Sequence, residues 1–355
     1  MIKILHSADW HLDSPLVFRS GEQSKYLRAA LAQIPSRIAA ICKEEHCDLV
    51  LLSGDLFDGT ATPATVQALK KALEDMEVPV FITPGNHDYV GVDSVWTGED
   101  WPENVHIFTR SVMESVVIED LDLLVYGGGF TAMDCPGLLA GFTADASAQY
   151  KIGILHADPT QANSPYCPVS KQQVQDSGLD YLALGHIHKG DSFRAGNTLC
   201  AWPGCPMGRG YDEDGEKGIL IVTLDNTAHA RFVPLDTPRF FDLEIPAGDD
   251  PGQALDRVLP AVGNRDFYRI TFTGHSNALD TDSLLRPEFP NLLLRDRTVP
   301  PVDVWGSAGQ DTFEGRYFKL LQDKLADADE DTQRKIYLAA EISRKILDGQ
   351  EVVLP

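Results

Sequence analysis

Five times in the first 190 residues, a short apolar run ends directly in Asp, Asn or His. The run 2–5 leads to Asp9 and His11, 49–52 to Asp55 and Asp58, and 79–82 to Asn86, His87 and Asp88. The run 152–155 leads to His156, and 181–184 to His186 and His188. In open α/β sheets, side chains just past the carboxyl ends of the strands converge on one crevice. Convergence here gathers two carboxylates (Asp9, Asp55), one amide oxygen (Asn86) and four imidazoles (His11, His156, His186, His188), with no thiolate. That donor set suits Mn²⁺, Fe²⁺ or Zn²⁺. It exceeds the needs of one ion and matches two, roughly 3.5–4 Å apart, with Asp55 placed to bridge them. Such a pair lowers the pKa of a bridging water, clamps phosphoryl oxygens and stabilises the charge of an in-line displacement. A lone Asp-x-His or Gly-Asp is commonplace, but five such ends in order are hard to explain as turns or core. His6, His46, His106, His229 and His275 lie outside these motifs and are read as structural or surface residues.

The elements that must position these residues are legible as alternating signals. Strands are expected at 2–5, 49–52, 79–82, 116–118, 123–126, 152–155, 181–184 and 219–224, each rich in Val, Ile and Leu. Helices are expected at 26–47 and 63–76. Thr62 caps the second, Pro63 fits its first turn, and Val66, Leu69, Leu73 and Met76 form one apolar stripe. The alternation implies an α/β domain, and a hairpin around 115–126 makes its sheets mixed. After Asp236-Thr-Pro238 the character changes. Strands at 240–245, 267–272 and 291–294, a helix at 253–262 and two tail helices within 313–347, broken around 326–331, describe a smaller α+β domain.

The chain of 355 residues carries 53 Asp and Glu against 30 Lys and Arg, a net charge of −23. Residues 1–240 sum to −15 and residues 241–355 to −8, so neither part has the basic footprint of a protein that binds by neutralising phosphates. Two divalent ions would bring about +4 to the crevice, of which Asp9 and Asp55 offset about two, leaving the crevice itself electropositive. Six cysteines without a Cys-x-x-Cys pair argue for reduced thiols in a cytoplasmic enzyme rather than a zinc knuckle or disulfide framework. No apolar run approaches the roughly 20 residues of a membrane span. The opening Met1–Trp10 is read as neither signal peptide nor anchor.

The ordered motifs Asp9-x-His11, Gly54-Asp55-x-x-Asp58, Gly85-Asn86-His87-Asp88, His156 and Gly185-His186-x-His188 resemble the calcineurin-like metallophosphoesterase superfamily. The opening Ile4-Leu-His-Ser-Ala-Asp-Trp-His-Leu is similar to SbcD-type DNA repair exonucleases. Asp13-Ser-Pro-Leu and Pro203-Gly-Cys-Pro-Met-Gly-Arg-Gly-Tyr-Asp-Glu resemble their YhaO-like branch, with Cys205 where serine is more usual. The resemblance implies a four-layer metallophosphoesterase sandwich, mixed β-sheets flanked by helices, over 1–239. It further implies a capping domain over 240–300 and a C-terminal helical segment, 301–355, that docks a partner. It places Asp9, His11 and His188 on one metal, Asn86, His156 and His186 on the other, and Asp55 between them. His87 then protonates the leaving oxygen with Asp88 orienting its ring, Asp58 supports the ligands, and Asp13 is as readily a turn or cap residue.

Arg209 and Lys189, with Arg194 and Arg19, lie near the motifs as candidate phosphate contacts. The implied activity is a manganese-dependent DNA exonuclease or endonuclease, acting in DNA repair with an SMC-like ATPase, and a homodimer is left open. A phosphoesterase of small phosphodiesters or phosphomonoesters is the alternative. A metal-free scaffold is disfavoured because all seven ligands are present.

Overall fold

The computed structural model describes residues 1–300, 303–326 and 328–349; residues 301–302, 327 and 350–355 of the expected C-terminal segment lie outside the described residues. The elements begin with β1 (Ile2–Ser7), α1 (Gly21–Leu31), α2 (Ile34–Glu44), β2 (Leu49–Leu52), α3 (Pro63–Asp75), β3 (Val80–Ile82), α4 (Val95–Gly98) and β4 (Val105–Ile107). There follow β5 (Glu114–Ile118), β6 (Leu123–Gly128), β7 (Tyr150–His156), α5 (Lys171–Asp176), β8 (Tyr181–Gly185), β9 (Lys189–Ala195), β10 (Thr198–Gly204), β11 (Gly218–Leu224) and β12 (Ala228–Pro234). The last are β13 (Phe240–Pro246), α6 (Pro251–Asp256), β14 (Phe267–Thr273), β15 (Leu292–Asp296), α7 (Phe313–Leu325) and α8 (Glu330–Leu347).

Two mixed six-stranded sheets dominate, in the orders β12-β11-β1-β2-β3-β4 and β5-β6-β7-β8-β10-β9; a third sheet has the order β13-β14-β15. β1, β2, β3 and β4 run parallel, as do β6, β7, β8 and β10, so within each sheet the motif-bearing strands end at one edge. Ile4, Leu49, Leu51 and Phe81 face Val125, Ile152, Ile154, Tyr181 and Ala183 between the sheets. The opposite faces are also covered: Leu5, Val50, Leu52 and Ile82 pack with Leu27, Ile38, Leu69 and Leu73, and Leu155, Leu182 and Leu184 pack with Val174 and Leu179. Burial on both faces explains why these strands read as unbroken apolar runs rather than alternating ones.

Several expectations need correction. The helix expected at 26–47 is two helices, because Pro35 near the start of α2 has no N–H to donate and its ring clashes with the preceding turn. The helix expected at 253–262 shrinks to α6; Pro260 disfavours helical backbone at the residue before it. β4, β9, β10 and β12 are additions to the expected strands; β9 and β12 are edge strands whose largely exposed residues mix charge with apolar groups. The 115–126 hairpin is the antiparallel pair β5–β6, and Thr62 caps α3 as expected.

The chain divides into two compact units. One comprises Met1–Asp242 with Asn264–Arg269 and Glu288–Leu293; the other comprises Leu243–Gly263, Ile270–Pro287 and the described residues from Leu294 onward. In the second unit, Phe318 of α7 and Ala340 of α8 are buried. The two helices are joined by Tyr317 Oη and Ser343 Oγ at 2.8 Å and by an Arg344–Glu314 ion pair. No helix among the described residues is long and apolar enough to cross a membrane.

One polar bridge crosses the central core. His6, on the inner face of β1, places Nδ1 2.7 Å from the Tyr181 hydroxyl and Nε2 2.7 Å from Ser53 Oγ. Burial pushes its pKa down to about 3, so the ring is neutral and donates to one hydroxyl while accepting from the other. Replacing His6 by Ala strands both hydroxyls and opens a void. We expect a loss of about 2–4 kcal/mol of unfolding free energy; an unchanged urea midpoint would show that the bridge contributes nothing.

Candidate metal centre

The strand ends turn sharply. Asp9, His11, Asp55 and His186 all have left-handed backbone, with φ of 55°, 49°, 51° and 92°. For residues with a Cβ this conformation is strained and persists only where the surroundings hold it. Those surroundings are visible: Asp9 N–H donates to Gly54 O at 3.0 Å and His11 N–H to Asp55 O at 3.0 Å. The peptide N–H of His186 donates to both Asp9 carboxylate oxygens, at 2.9 and 3.1 Å, which ties the end of β8 in one sheet to the turn after β1 in the other. Two glycines are dictated by closeness: a Cβ on Gly85 would collide with Asp55 Oδ1, and one on Gly185 with Ser53 O.

Most of the sequence-derived ligands meet here. Candidate ligand atoms of Asp9, His11 and His188 lie within 4.8 Å of one another, as do those of Asp9, Asp55 and His156. His11 Nε2 faces His188 Nε2 at 3.1 Å, and His156 Nε2 faces Asn86 Oδ1 at 2.9 Å. Asp55 Oδ2 lies 3.3 Å from His156 Nε2 and 3.8 Å from His11 Nε2, so it fronts both sets. The His186 ring adjoins them, 5.2 Å from the His156 ring and 4.7 Å from that of Tyr166. Buried ring nitrogens and carboxylate oxygens aimed at common points are what divalent cations require, and the residues fit a dinuclear centre.

His87 and Asp88 separate in role. The His87 ring is half-exposed, and its Nδ1 lies 2.9 Å from Asp58 Oδ1, not from Asp88. Asp88 is buried and accepts the amide N–H groups of Gly85 at 2.7 Å and Leu56 at 2.8 Å, bracing two ligand turns. The expectation that Asp88 orients the His87 ring is therefore corrected to Asp58, which also reaches His11 Nδ1 at 3.4 Å. Asp13 is a turn residue: it accepts from Thr62 N–H at 2.7 Å and from the Thr65 hydroxyl at 2.7 Å. Arg194 is committed to the Ala228 carbonyl at 2.6 Å. Lys189 is exposed and lines a cavity of about 500 Å³ beside His188, with Trp202, Lys217 and Phe232. Arg209 does reach the cluster, with its NH2 nitrogen 3.3 Å from both Glu213 Oε1 and His188 Nδ1. Glu213, which closes the motif beginning at Pro203 but has no role assigned from the sequence, has Oε1 2.6 Å from His188 Nδ1.

The charges interlock. Burial opposes ionisation of Asp55, but the adjoining His156 and His11 outweigh it and hold the carboxyl below its ordinary range. Burial likewise opposes the His156 imidazolium, yet Asp55 lifts its pKa to about 9. Burial and the charge on His156 push His186 down to about 4. The Asp58 hydrogen bond raises His87. Burial, reinforced by the charge of Asp55, raises Asp88 to about 7.

Residues 2–190 match the calcineurin-like phosphoesterase family. An uncharacterized metallophosphoesterase of Bacillus subtilis (strain 168), YhaO, is 34% identical over 239 residues, covering 63% of this chain and 58% of its own. The chain thus spans less than two thirds of that relative. The SbcD component of the nuclease SbcCD from Staphylococcus epidermidis is 22% identical over 338 residues, covering 84% of this chain and 86% of its own. A solved dimetal phosphatase from Danio rerio superposes with a TM-score of 0.43 at 13% identity, covering 65% of this chain and 96% of that one.

An imidazole ligates only when neutral, and His156 without a cation holds its proton up to about pH 9. Mn²⁺ binding at pH 7 should therefore release protons, and affinity should rise with pH. Calorimetry in buffers of different ionisation enthalpy measures this; binding without proton release would contradict the assignment of His156 as a ligand.

Proposed function

The chain belongs to the calcineurin-like phosphoesterase family, and from that premise we propose that it is a metal-dependent DNA nuclease, hydrolysing phosphodiester bonds with two Mn²⁺ ions. The observation that carries this reading is the extent of the likeness to the SbcD component of SbcCD: it runs over 338 residues, far past the family domain and into the second unit. A relative that shared only the hydrolytic domain would have no counterpart there.

When bound, the cations supply Lewis acidity to the scissile phosphate and the attacking water. The chain's own residues do the rest. Asp9, His11 and His188 would hold one ion and Asn86, His156 and His186 the other, with Asp55 available to both. His87, partly open to solvent and with its pKa raised by the hydrogen bond to Asp58, is the residue that gives a proton to the departing 3′ or 5′ oxygen. Arg209 contacts a non-bridging phosphate oxygen, and Lys189 contacts the strand beyond it. Residues 240–300 take part in selecting DNA. In the C-terminal segment, Phe313, Leu320, Tyr337, Leu338, Ile346 and Leu347 are exposed on α7 and α8 and offer an apolar surface to an SMC-like ATPase. In this reading the protein works in DNA repair in the cytoplasm.

The net charge of −23 favours a second reading, hydrolysis of small phosphodiesters, which need no extended basic surface. Linear duplex DNA with Mn²⁺ decides between them. The wild type should shorten it, and His87→Ala should slow this by about 10²–10⁴-fold while retaining two bound metals. Turnover of an aryl phosphodiester with every DNA substrate left intact would establish the second reading instead.

Asp58→Asn gives a further test. Asp58 raises the His87 pKa, so removing its charge lets the ring lose its proton at lower pH. The alkaline limb of the rate profile should move to lower pH; an unmoved limb would assign the proton donor elsewhere.

A further inference from the structure

We propose that Glu213 is a positioning residue that uses one carboxylate to orient the ligand His188 and to hold Arg209 beside it. The inference rests on the dinuclear phosphoesterase reading and adds to it a residue outside the five strand-end motifs.

Both carboxylate oxygens are engaged. Oε1 lies 2.6 Å from His188 Nδ1 and 3.3 Å from the Arg209 NH2 nitrogen. Oε2 accepts the Arg209 peptide N–H at 2.8 Å and lies 3.7 Å from Cys205 Sγ. The side chain is only 11% exposed, so these contacts are made largely out of water. They have one chemical consequence for His188. A ring that ligates through Nε2 must carry its proton on Nδ1, and a carboxylate at 2.6 Å accepts that proton's hydrogen bond, fixing both tautomer and ring plane. Nε2 then points into the cluster, where it faces His11 Nε2 at 3.1 Å.

The same arrangement disposes of Arg209. Its NH2 nitrogen is also 3.3 Å from His188 Nδ1, but two N–H donors cannot bond to each other, so the guanidinium is held by Glu213 and not by the histidine. Its Nε is buried and has no hydrogen-bond partner in the protein. A guanidinium anchored at one end, with its side chain 21% exposed beside the ligand cluster, is suited to an anionic oxygen. The loop is built to maintain this: Glu213 N–H donates to Gly210 O at 3.1 Å, and a Cβ on Gly208 would lie 2.7 Å from Glu213 O.

A carboxylate that only stitched its loop together would alter melting temperature and nothing specific to the site. Three variants of the full chain, Glu213→Ala, Glu213→Gln and Arg209→Met, separate the cases. Mn²⁺ affinity is read by calorimetry, and kcat and KM on bis(p-nitrophenyl) phosphate. Glu213→Ala should lose about 10–100-fold in Mn²⁺ affinity. Glu213→Gln keeps an acceptor oxygen of nearly the same shape, so it should fold like the wild type, recover part of the affinity and show a raised KM. Arg209→Met should raise KM with Mn²⁺ affinity unchanged. If Glu213→Gln folds, binds Mn²⁺ as the wild type does and keeps its KM, the proposal is overturned while the phosphoesterase reading stands. A wild type that binds no Mn²⁺ removes both.

Discussion

The candidate site exists because two sheets end at the same place, and the interaction that joins them there is the Asp9 carboxylate accepting the His186 peptide N–H. Asp9 follows a strand of one sheet and His186 a strand of the other. His11, Asp55 and Asn86 belong to the first side of this junction; His156 and His188 belong to the second. Neither side alone offers a complete set of donors. Gly185 is part of the same constraint, since any side chain there would collide with the Ser53 carbonyl and push the sheets apart. The apolar interior, with Ile4, Leu51, Ile154 and Ala183 packed between the sheets, keeps their distance constant enough for that junction to form.

Burying several carboxylates and imidazoles together is costly unless each charge meets its opposite. The molecule meets this by alternation: Asp55 beside His156 and His11, Asp58 between His11 and His87, Glu213 between His188 and Arg209. The His186 ring stands outside this pairing and is pushed toward neutrality. Divalent cations would tip this balanced patch positive on a chain whose overall charge is −23. Attraction for a phosphate is thereby confined to the crevice instead of spreading over the surface.

Much of this is legible in the sequence, for a physical reason. Strands buried on both faces must be continuously apolar, so a polar residue directly after such a run stands out, and Asp9, Asp55, Asn86, His156 and His186 are all visible in that way. His6, read only as structural or surface, is a buried bridge between Tyr181 and Ser53. The residues that sequence reasoning misses lack that contrast. Glu213 sits in an acidic loop, Asp212-Glu213-Asp214-Gly215-Glu216, where neither spacing nor an apolar run says which carboxylate faces His188. Asp58 and His87 are far apart in the chain, and Asp88, adjacent to His87 in sequence, is the more obvious partner. Yet Asp88 turns inward to the amides of Gly85 and Leu56 while the His87 ring faces Asp58. The edge strands β9 and β12 are largely exposed and so carry no long apolar run. The break between α1 and α2 does have a signal, Pro35, which outweighs the helical periodicity around it.

The left-handed turns at Asp9, His11, Asp55 and His186 bear on which substitutions these positions can accept. A residue with a Cβ is strained in that conformation, so a substitution there must suit the backbone as well as supply a donor atom. Exchanging one metal-binding residue type for another at these four positions is therefore restricted twice, by donor chemistry and by the turn. Sequence drift at the centre is narrowed by the fold itself.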